Sequence, residues 1–149
     1  WLNVFDNLII TRTFSKAYGL AGLRVGYAIS RPNIADYINR VRAPFNVNHC
    51  AQIAAIAALN DADYLQESIR SNAAGLKQLE ESFKGLNLSY IKSSANFIAV
   101  EFENALEVYE KLLKEGVIVR PIEIPNFLRI TVGTTEENIY LIKALKKIL

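Results

Sequence analysis

The chain has 149 residues, 51% of them hydrophobic, and its 17 lysines and arginines against 15 aspartates and glutamates leave a net charge of +2. That is enough apolar material for one well-buried core, or for one domain and a piece of another, and it excludes a disordered or low-complexity protein. The balanced charge, without any basic run, argues against a nucleic-acid partner, and the lack of a membrane-length apolar stretch or a signal-like start argues against a membrane partner, so a soluble cytoplasmic protein is expected.

Trp1 opens the chain and methionine is absent, from which a portion of a longer protein is expected. Asn7-Leu8-Ile9-Ile10-Thr11 reads as a short apolar strand and Val25 to Ile29 as another, so the stretch between them is one connection with Lys16 and Arg24 near its two ends. Thr13, Ser15 and Arg24 supply two hydroxyls and a planar, permanently charged fork, a donor set suited to a phosphate. A lysine beside such a clamp suits an amine nucleophile that forms a Schiff base with the aldehyde of pyridoxal phosphate, the phosphate fixing the cofactor while the amine reacts. On spacing alone Lys16 also fits a solvated surface lysine, and Gly19, Gly22 and Gly26 also fit turns or close packing. A nucleotide loop fits less well. No G-x-x-x-x-G-K-[ST] occurs, and Gly22-Leu-Arg-Val-Gly26 opens no helix after a strand.

Ser30-Arg31-Pro32 opens the first predicted helix, with Ile34, Tyr37, Ile38 and Val41 on one face, and Pro44 ends it. Asn48 reads as the N-cap of an alanine-rich helix through Leu59. Because Ala51 and the run Ile53 to Ala58 make that helix apolar nearly all round, it is expected to be buried, at a subunit or domain contact. The single cysteine, Cys50, has no disulfide partner and the sole histidine, His49, has no neighbours at metal-ligand spacing, so no metal site is expected. After Asn60-Asp61 a long amphipathic helix is predicted from about Ala62 to Phe83, with Leu65, Ile69, Ala73, Leu76, Leu79 and Phe83 as its stripe. No repeat or flexible linker interrupts the chain, and the domain boundary is placed near residue 60, dividing 1–60 from 61–149.

From Leu86 short strands alternate with helices. Leu88 to Ile91 and Phe97 to Phe102 are predicted strands, Ala105 to Leu113 a helix ending before Gly116, and Val117 to Val119 and Leu128 to Val132 strands again. Alternation puts Leu128, Ile130 and Val132 on one face and Arg129 and Thr131 on the other, where Arg129 by itself also fits a solvent-facing strand arginine. Arg120 ends the apolar run Val117-Ile-Val119, an expensive place for a charge unless an anion or a carboxylate pairs with it. Asn96 fits either a pocket lining or a turn residue before a strand, and Tyr18 and Tyr27 fit packing better than catalysis. Thr134-Thr-Glu-Glu137 offers a capping box for the last helix, with Lys143, Lys146 and Lys147 towards its negative end.

The run Thr-Phe-Ser-Lys-Ala-Tyr-Gly-Leu-Ala-Gly-Leu-Arg-Val-Gly-Tyr from Thr13 to Tyr27 closely resembles the lysine segment of the pyridoxal-phosphate aminotransferases of the aspartate aminotransferase fold (class I/II), and within them the histidinol-phosphate aminotransferases. Ser94-Ala-Asn-Phe97, Gly116-Val-Ile-Val-Arg-Pro121 and Leu128-Arg-Ile-Thr-Val-Gly-Thr134 resemble that family's carboxy-terminal landmarks in the family's order, so the likeness covers essentially the whole chain. It implies an α/β fold: the carboxy-terminal part of the large cofactor-binding domain, followed by the small α/β domain. It implies pyridoxal 5'-phosphate as cofactor, Lys16 as the catalytic lysine and general acid and base, and Thr13, Ser15 and Arg24 as phosphate-binding residues. Arg129 is implied as anchor for the substrate's anionic group, with Arg120 as a second phosphate contact and Asn96 lining the pocket. The implied partners are an amino acid or amino-alcohol phosphate and a keto acid, and the parent is implied to be a homodimer. The segment Pro121 to Leu128 is short for the family. The family's carboxylate for the pyridine nitrogen, its stacking ring and its groups near O3′ have no counterpart in this sequence. Alternatives left open are an amino-acid aminotransferase, a decarboxylase of the same fold, and a catalytically silent piece.

Overall fold

A computed structural model describes residues 1–149. They divide into two compact units, Trp1–Ser68 and Ile69–Leu149.

In the first unit, β1 (Ile9–Thr13) pairs antiparallel with β2 (Gly26–Ser30), from Ile9 opposite Ser30 to Thr13 opposite Gly26. Both strands lie slightly later than the apolar pattern suggests. Gly26 is required at the narrow end, because a Cβ there would stand 2.6 Å from the carbonyl oxygen of Arg12. Helix α1 (Pro32–Val41) starts with proline in its first turn, and just beyond it Arg42 donates to Asn39 at 2.8 Å and to Asn46 at 2.9 Å. Helix α2 (His49–Asn60) is capped as expected, Asn48 Oδ1 accepting from the Ala51 N–H at 2.8 Å. The expected burial of α2 does not hold within this chain. Ala51 and Ala55 join Phe14 and Val25 in a small core, while Ile53, Ile56 and Leu59 are 55%, 62% and 56% exposed. The residues that cover Ala51 and Ala55 come chiefly from the loop between β1 and β2, and the other apolar sides of α2 stay open.

Helix α3 (Ala62–Gly85) runs through the division in sequence. In the second unit its buried residues are Gly75, Leu79 and Phe83, with Leu76 packed against the core. Ile69 and Ala73 are exposed instead of continuing the stripe. At roughly 100° per residue they lie about 80° and 120° round the helix from Leu79, off the packed face, whereas Asn72 lies only about 20° away.

The second unit is a four-stranded antiparallel sheet in the order β3-β4-β6-β5 with helices in contact with one face. Its strands are β3 (Tyr90–Ile91), β4 (Phe97–Glu101), β5 (Arg120–Pro121) and β6 (Phe127–Thr131), with α4 (Ala105–Lys114) and α5 (Thr135–Ile148) between and after them. Ile98, Val100, Leu128 and Ile130 form the buried face, packed with Leu79 and Phe83 of α3, Val108 and Leu112 of α4, and Leu141 and Leu145 of α5. The period of two along each strand sends Phe97, Ala99, Arg129 and Thr131 to the other face.

The expected strand Val117 to Val119 is absent. Gly116, at φ +76°, donates to Leu113 O at 3.0 Å, and Val117 N–H donates to Leu112 O at 2.9 Å, so this stretch closes the end of α4 before β5 begins at Arg120. The first predicted strand of this half shrinks to Tyr90–Ile91. The capping box on α5 forms as read, Thr134 N–H donating to Glu137 Oε2 at 2.7 Å and Glu137 N–H to Thr134 Oγ1 at 3.2 Å. No helix is long and apolar enough to cross a membrane.

Candidate active site

The lysine connection of the first unit is a closed loop on the β1–β2 ladder. Phe14 N–H donates to Val25 O at 3.2 Å, one step beyond the Thr13–Gly26 pair, and both side chains are buried. Ser15 and Arg24 therefore flank the same closing hydrogen bond from opposite ends of the loop. Ser15 N–H donates to Thr13 Oγ1 at 3.0 Å, which folds the two hydroxyl-bearing residues onto one turn. Lys16 starts the next turn, its carbonyl accepting from Gly19 N–H at 2.8 Å, and Gly19, at a positive φ of +72°, leads to Leu20, whose N–H donates back to Phe14 O at 3.0 Å.

Arg24 follows a short 3-10 turn over Ala21–Leu23 and sits in the left-handed region at φ +53°, a conformation uncommon for a side-chain-bearing residue. One guanidinium nitrogen donates to Ala21 O at 2.9 Å, which holds the side chain back along the loop. Lys16 and Arg24 are both exposed, while Phe14 beneath them packs against Tyr18 and Tyr27 at ring separations of 4.9 and 5.7 Å. Tyr18 is half-buried and Tyr27 is exposed beyond its contact with Phe14. The buried Phe14 ring anchors the loop, while Thr13, Lys16 and Arg24 are exposed and Ser15 is half-buried. That donor set fits a phosphate monoester, with an amine nearby in sequence for an aldehyde on the same molecule.

In the second unit, Arg120 of β5 and Arg129 of β6 are directly opposite each other in the ladder and so share a face. Arg120 does follow the apolar run, and Val119 before it is buried, but Arg120 itself is exposed on an edge strand, so its charge there is less expensive than expected. Arg129 is half-buried. Its guanidinium carbon lies 4.2 Å from the centre of the Phe97 ring, and its Nε is buried with no hydrogen-bond partner in the protein. This face therefore carries two like charges across one ladder and a shielded N–H without an acceptor, a donor set whose chemistry suits an anion. Asn96 lies in the turn before β4, where its carbonyl accepts from Val132 N–H at 2.9 Å. Sequence reasoning missed Phe97, although the spacing that pairs Phe97 with Thr131 follows once β4 and β6 are aligned.

The chain matches the family Aminotransferase class I and II over residues 1–145, and it belongs to that family. Among curated relatives it is 51% identical over 152 residues to histidinol-phosphate aminotransferase of Methylobacillus flagellatus, covering 100% of this chain and 41% of the relative. It is 56% identical over 147 residues to histidinol-phosphate aminotransferase 2 of Pseudomonas aeruginosa, covering 96% of this chain and 40% of the relative. The chain thus spans about two-fifths of the length of these relatives. Among solved structures, histidinol-phosphate aminotransferase from Sinorhizobium meliloti, in complex with pyridoxal-5'-phosphate, superposes with a TM-score of 0.89 at 34% identity, over 96% of this chain and 41% of that one. The aspartate aminotransferase-like architecture is shared more widely, a Thermus thermophilus aspartate aminotransferase mutant matching at a TM-score of 0.82, 20% identity, 97% of this chain and 44% of that one.

Proposed function

We propose that this chain is the carboxy-terminal portion of a pyridoxal 5'-phosphate-dependent aminotransferase, residues 1–60 belonging to the large cofactor domain and 61–149 forming the small domain. Its parent moves an amino group between histidinol phosphate and 2-oxoglutarate, a step of histidine biosynthesis, as a cytoplasmic homodimer. Identity near 50% to histidinol-phosphate aminotransferases along the whole chain supports this reading.

Thr13, Ser15 and Arg24 are the residues that would hold the cofactor's phosphate, and Lys16 the one that would react with its aldehyde. When bound, pyridoxal 5'-phosphate supplies the sink for the electron pair left behind as the substrate's Cα–H bond breaks. Lys16 Nζ is the base that takes that Cα proton and the acid that gives it back. Arg129 and Arg120 hold the substrate by its anionic group, leaving the amine end free to react.

The observation that carries the substrate choice is the cross-strand pairing of Arg120 with Arg129. A phosphate has more charge and more acceptor oxygens than a carboxylate, so two guanidinium groups serve it better than one. Single half-reactions of the parent enzyme test this. Arg120→Ala is expected to lose rate on histidinol phosphate while the glutamate half-reaction changes less. Equal losses on both, or no loss on the phosphate, would remove Arg120 as a phosphate contact and leave a general amino-acid aminotransferase as the better reading.

A further inference from the structure

The guanidinium of Arg129 rests on Phe97, so whatever fixes Phe97 also fixes the edge that Arg129 offers to an anion. Phe97 starts β4 directly after the turn Ser93-Ser94-Ala95-Asn96, and that turn is held at three points. Ala95 N–H donates to Ser93 Oγ at 3.0 Å. The Asn96 carbonyl accepts from Val132 N–H at 2.9 Å, tying the turn to the strand that carries Arg129. The third tie comes from a helix: Asn72 Nδ2 of α3 donates to the Ala95 carbonyl at 3.1 Å.

Asn72 belongs to a row of residues along α3 that grips this end of the sheet. Gly75 is buried so close to β6's exit that a Cβ would stand 2.4 Å from Val132 Cγ1. Further along, Gln78 Oε1 accepts from Asn138 Nδ2 at 2.9 Å, and Asn138 Oδ1 accepts from Gly133 N–H at 3.0 Å. One side of α3 therefore clamps both the entry to β4 and the exit from β6, the two backbone ends beside the Phe97–Thr131 pair. An amide on the packed side of an amphipathic helix adds nothing to an apolar core. Its hydrogen bond acts on a single loop carbonyl two residues before Phe97.

We propose that Asn72 is a positioning residue for the anion site: through the Ala95 carbonyl it sets the Phe97 ring under Arg129, so that the guanidinium is oriented before an anion arrives. Asn72 itself touches neither substrate nor cofactor. The proposal rests on Arg129 being the phosphate anchor, as read above.

The test is a set of variants in the intact parent enzyme: Asn72→Ala, Asn72→Asp and Arg129→Ala, alone and as Asn72→Ala with Arg129→Ala, assayed for kcat and KM with histidinol phosphate, cofactor affinity and thermal midpoint. Loss of one neutral hydrogen bond predicts a rise in KM of about 5–10-fold for Asn72→Ala, with kcat and cofactor affinity little changed. Asn72→Asp keeps the size but faces the Ala95 carbonyl with an acceptor, so it is expected to raise KM similarly while remaining folded. In the Arg129→Ala background Asn72→Ala is expected to add nothing, because its effect passes through Arg129. An equal rise in both backgrounds, no rise at all, or a fall in kcat and cofactor affinity with KM unchanged would overturn the proposal. If Arg129→Ala leaves KM for histidinol phosphate unchanged, the phosphate-anchor reading fails first and this inference with it.

Discussion

Replacing Arg120 by threonine in this chain should make the protein more stable without an anion and less responsive to one. Arg120 and Arg129 stand opposite each other on β5 and β6, and Arg120 is exposed, so its removal opens no cavity. Like charges directly opposite on a ladder destabilise it by about 0.2–1 kcal/mol, and threonine is a good strand former at an exposed edge. For a chain of this length that gain corresponds to a rise in Tm of about 0.5–4 °C. Inorganic phosphate should act in the opposite sense. At ten times its Kd an anion stabilises the folded protein by about 1.4 kcal/mol, and Arg120→Thr weakens that binding, so the phosphate-induced rise in Tm should shrink. Calorimetry of the two proteins with and without phosphate measures both effects, and Arg120→Lys, which keeps the charge, is the control expected to show no gain. A lower Tm for Arg120→Thr in the absence of anion, or an undiminished phosphate response, would refute the idea that the two arginines share one ligand.

Three further outcomes follow from the geometry. Arg24→Ala in the parent should weaken cofactor binding by about 1.5–3 kcal/mol, the range for one hydrogen bond to a charged group, and cofactor titration reads it directly; an unchanged affinity would make Arg24 a purely structural brace of its loop. Gly26→Ala should disrupt the β1–β2 pair, since the new Cβ would meet the Arg12 carbonyl at 2.6 Å, and amide exchange across Ile9–Thr13 should speed up markedly if that contact matters. Thr134→Ala removes the acceptor of the Glu137 N–H and should lower stability by about 1 kcal/mol in denaturant unfolding, with no change expected in cofactor affinity.

The lysine loop was legible because its information is local: hydroxyls, lysine, glycines and arginine fall within one connection between two short apolar runs. Caps at Asn48 and Thr134 were legible for the same reason, each being a side chain bonded to a backbone N–H three residues on. Val117 to Val119 misled, because three apolar residues after a glycine look alike whether they start a strand or finish a helix, and here backbone hydrogen bonds to Leu112 and Leu113 decide it. The α2 helix misled in another way. Its composition reports a need for burial, and within this chain only the Ala51 and Ala55 side meets it. What sequence could not display was register. That Arg120 faces Arg129, and that Phe97 lies under the same guanidinium, depends on how β5, β6 and β4 align across the sheet. Asn72 did leave a trace, as a polar residue close to Leu79 in angle on α3, but only once the helix's packed face was centred correctly.

The most direct test of the central claim is chemical trapping of the cofactor in the full-length parent: borohydride reduction of the protein loaded with pyridoxal 5'-phosphate, followed by peptide mass mapping. One stable pyridoxyl adduct is expected, on the peptide containing Lys16, with loss of that adduct and of the cofactor's visible absorbance in Lys16→Ala. An adduct on another lysine, or turnover that survives Lys16→Ala, would contradict the claim.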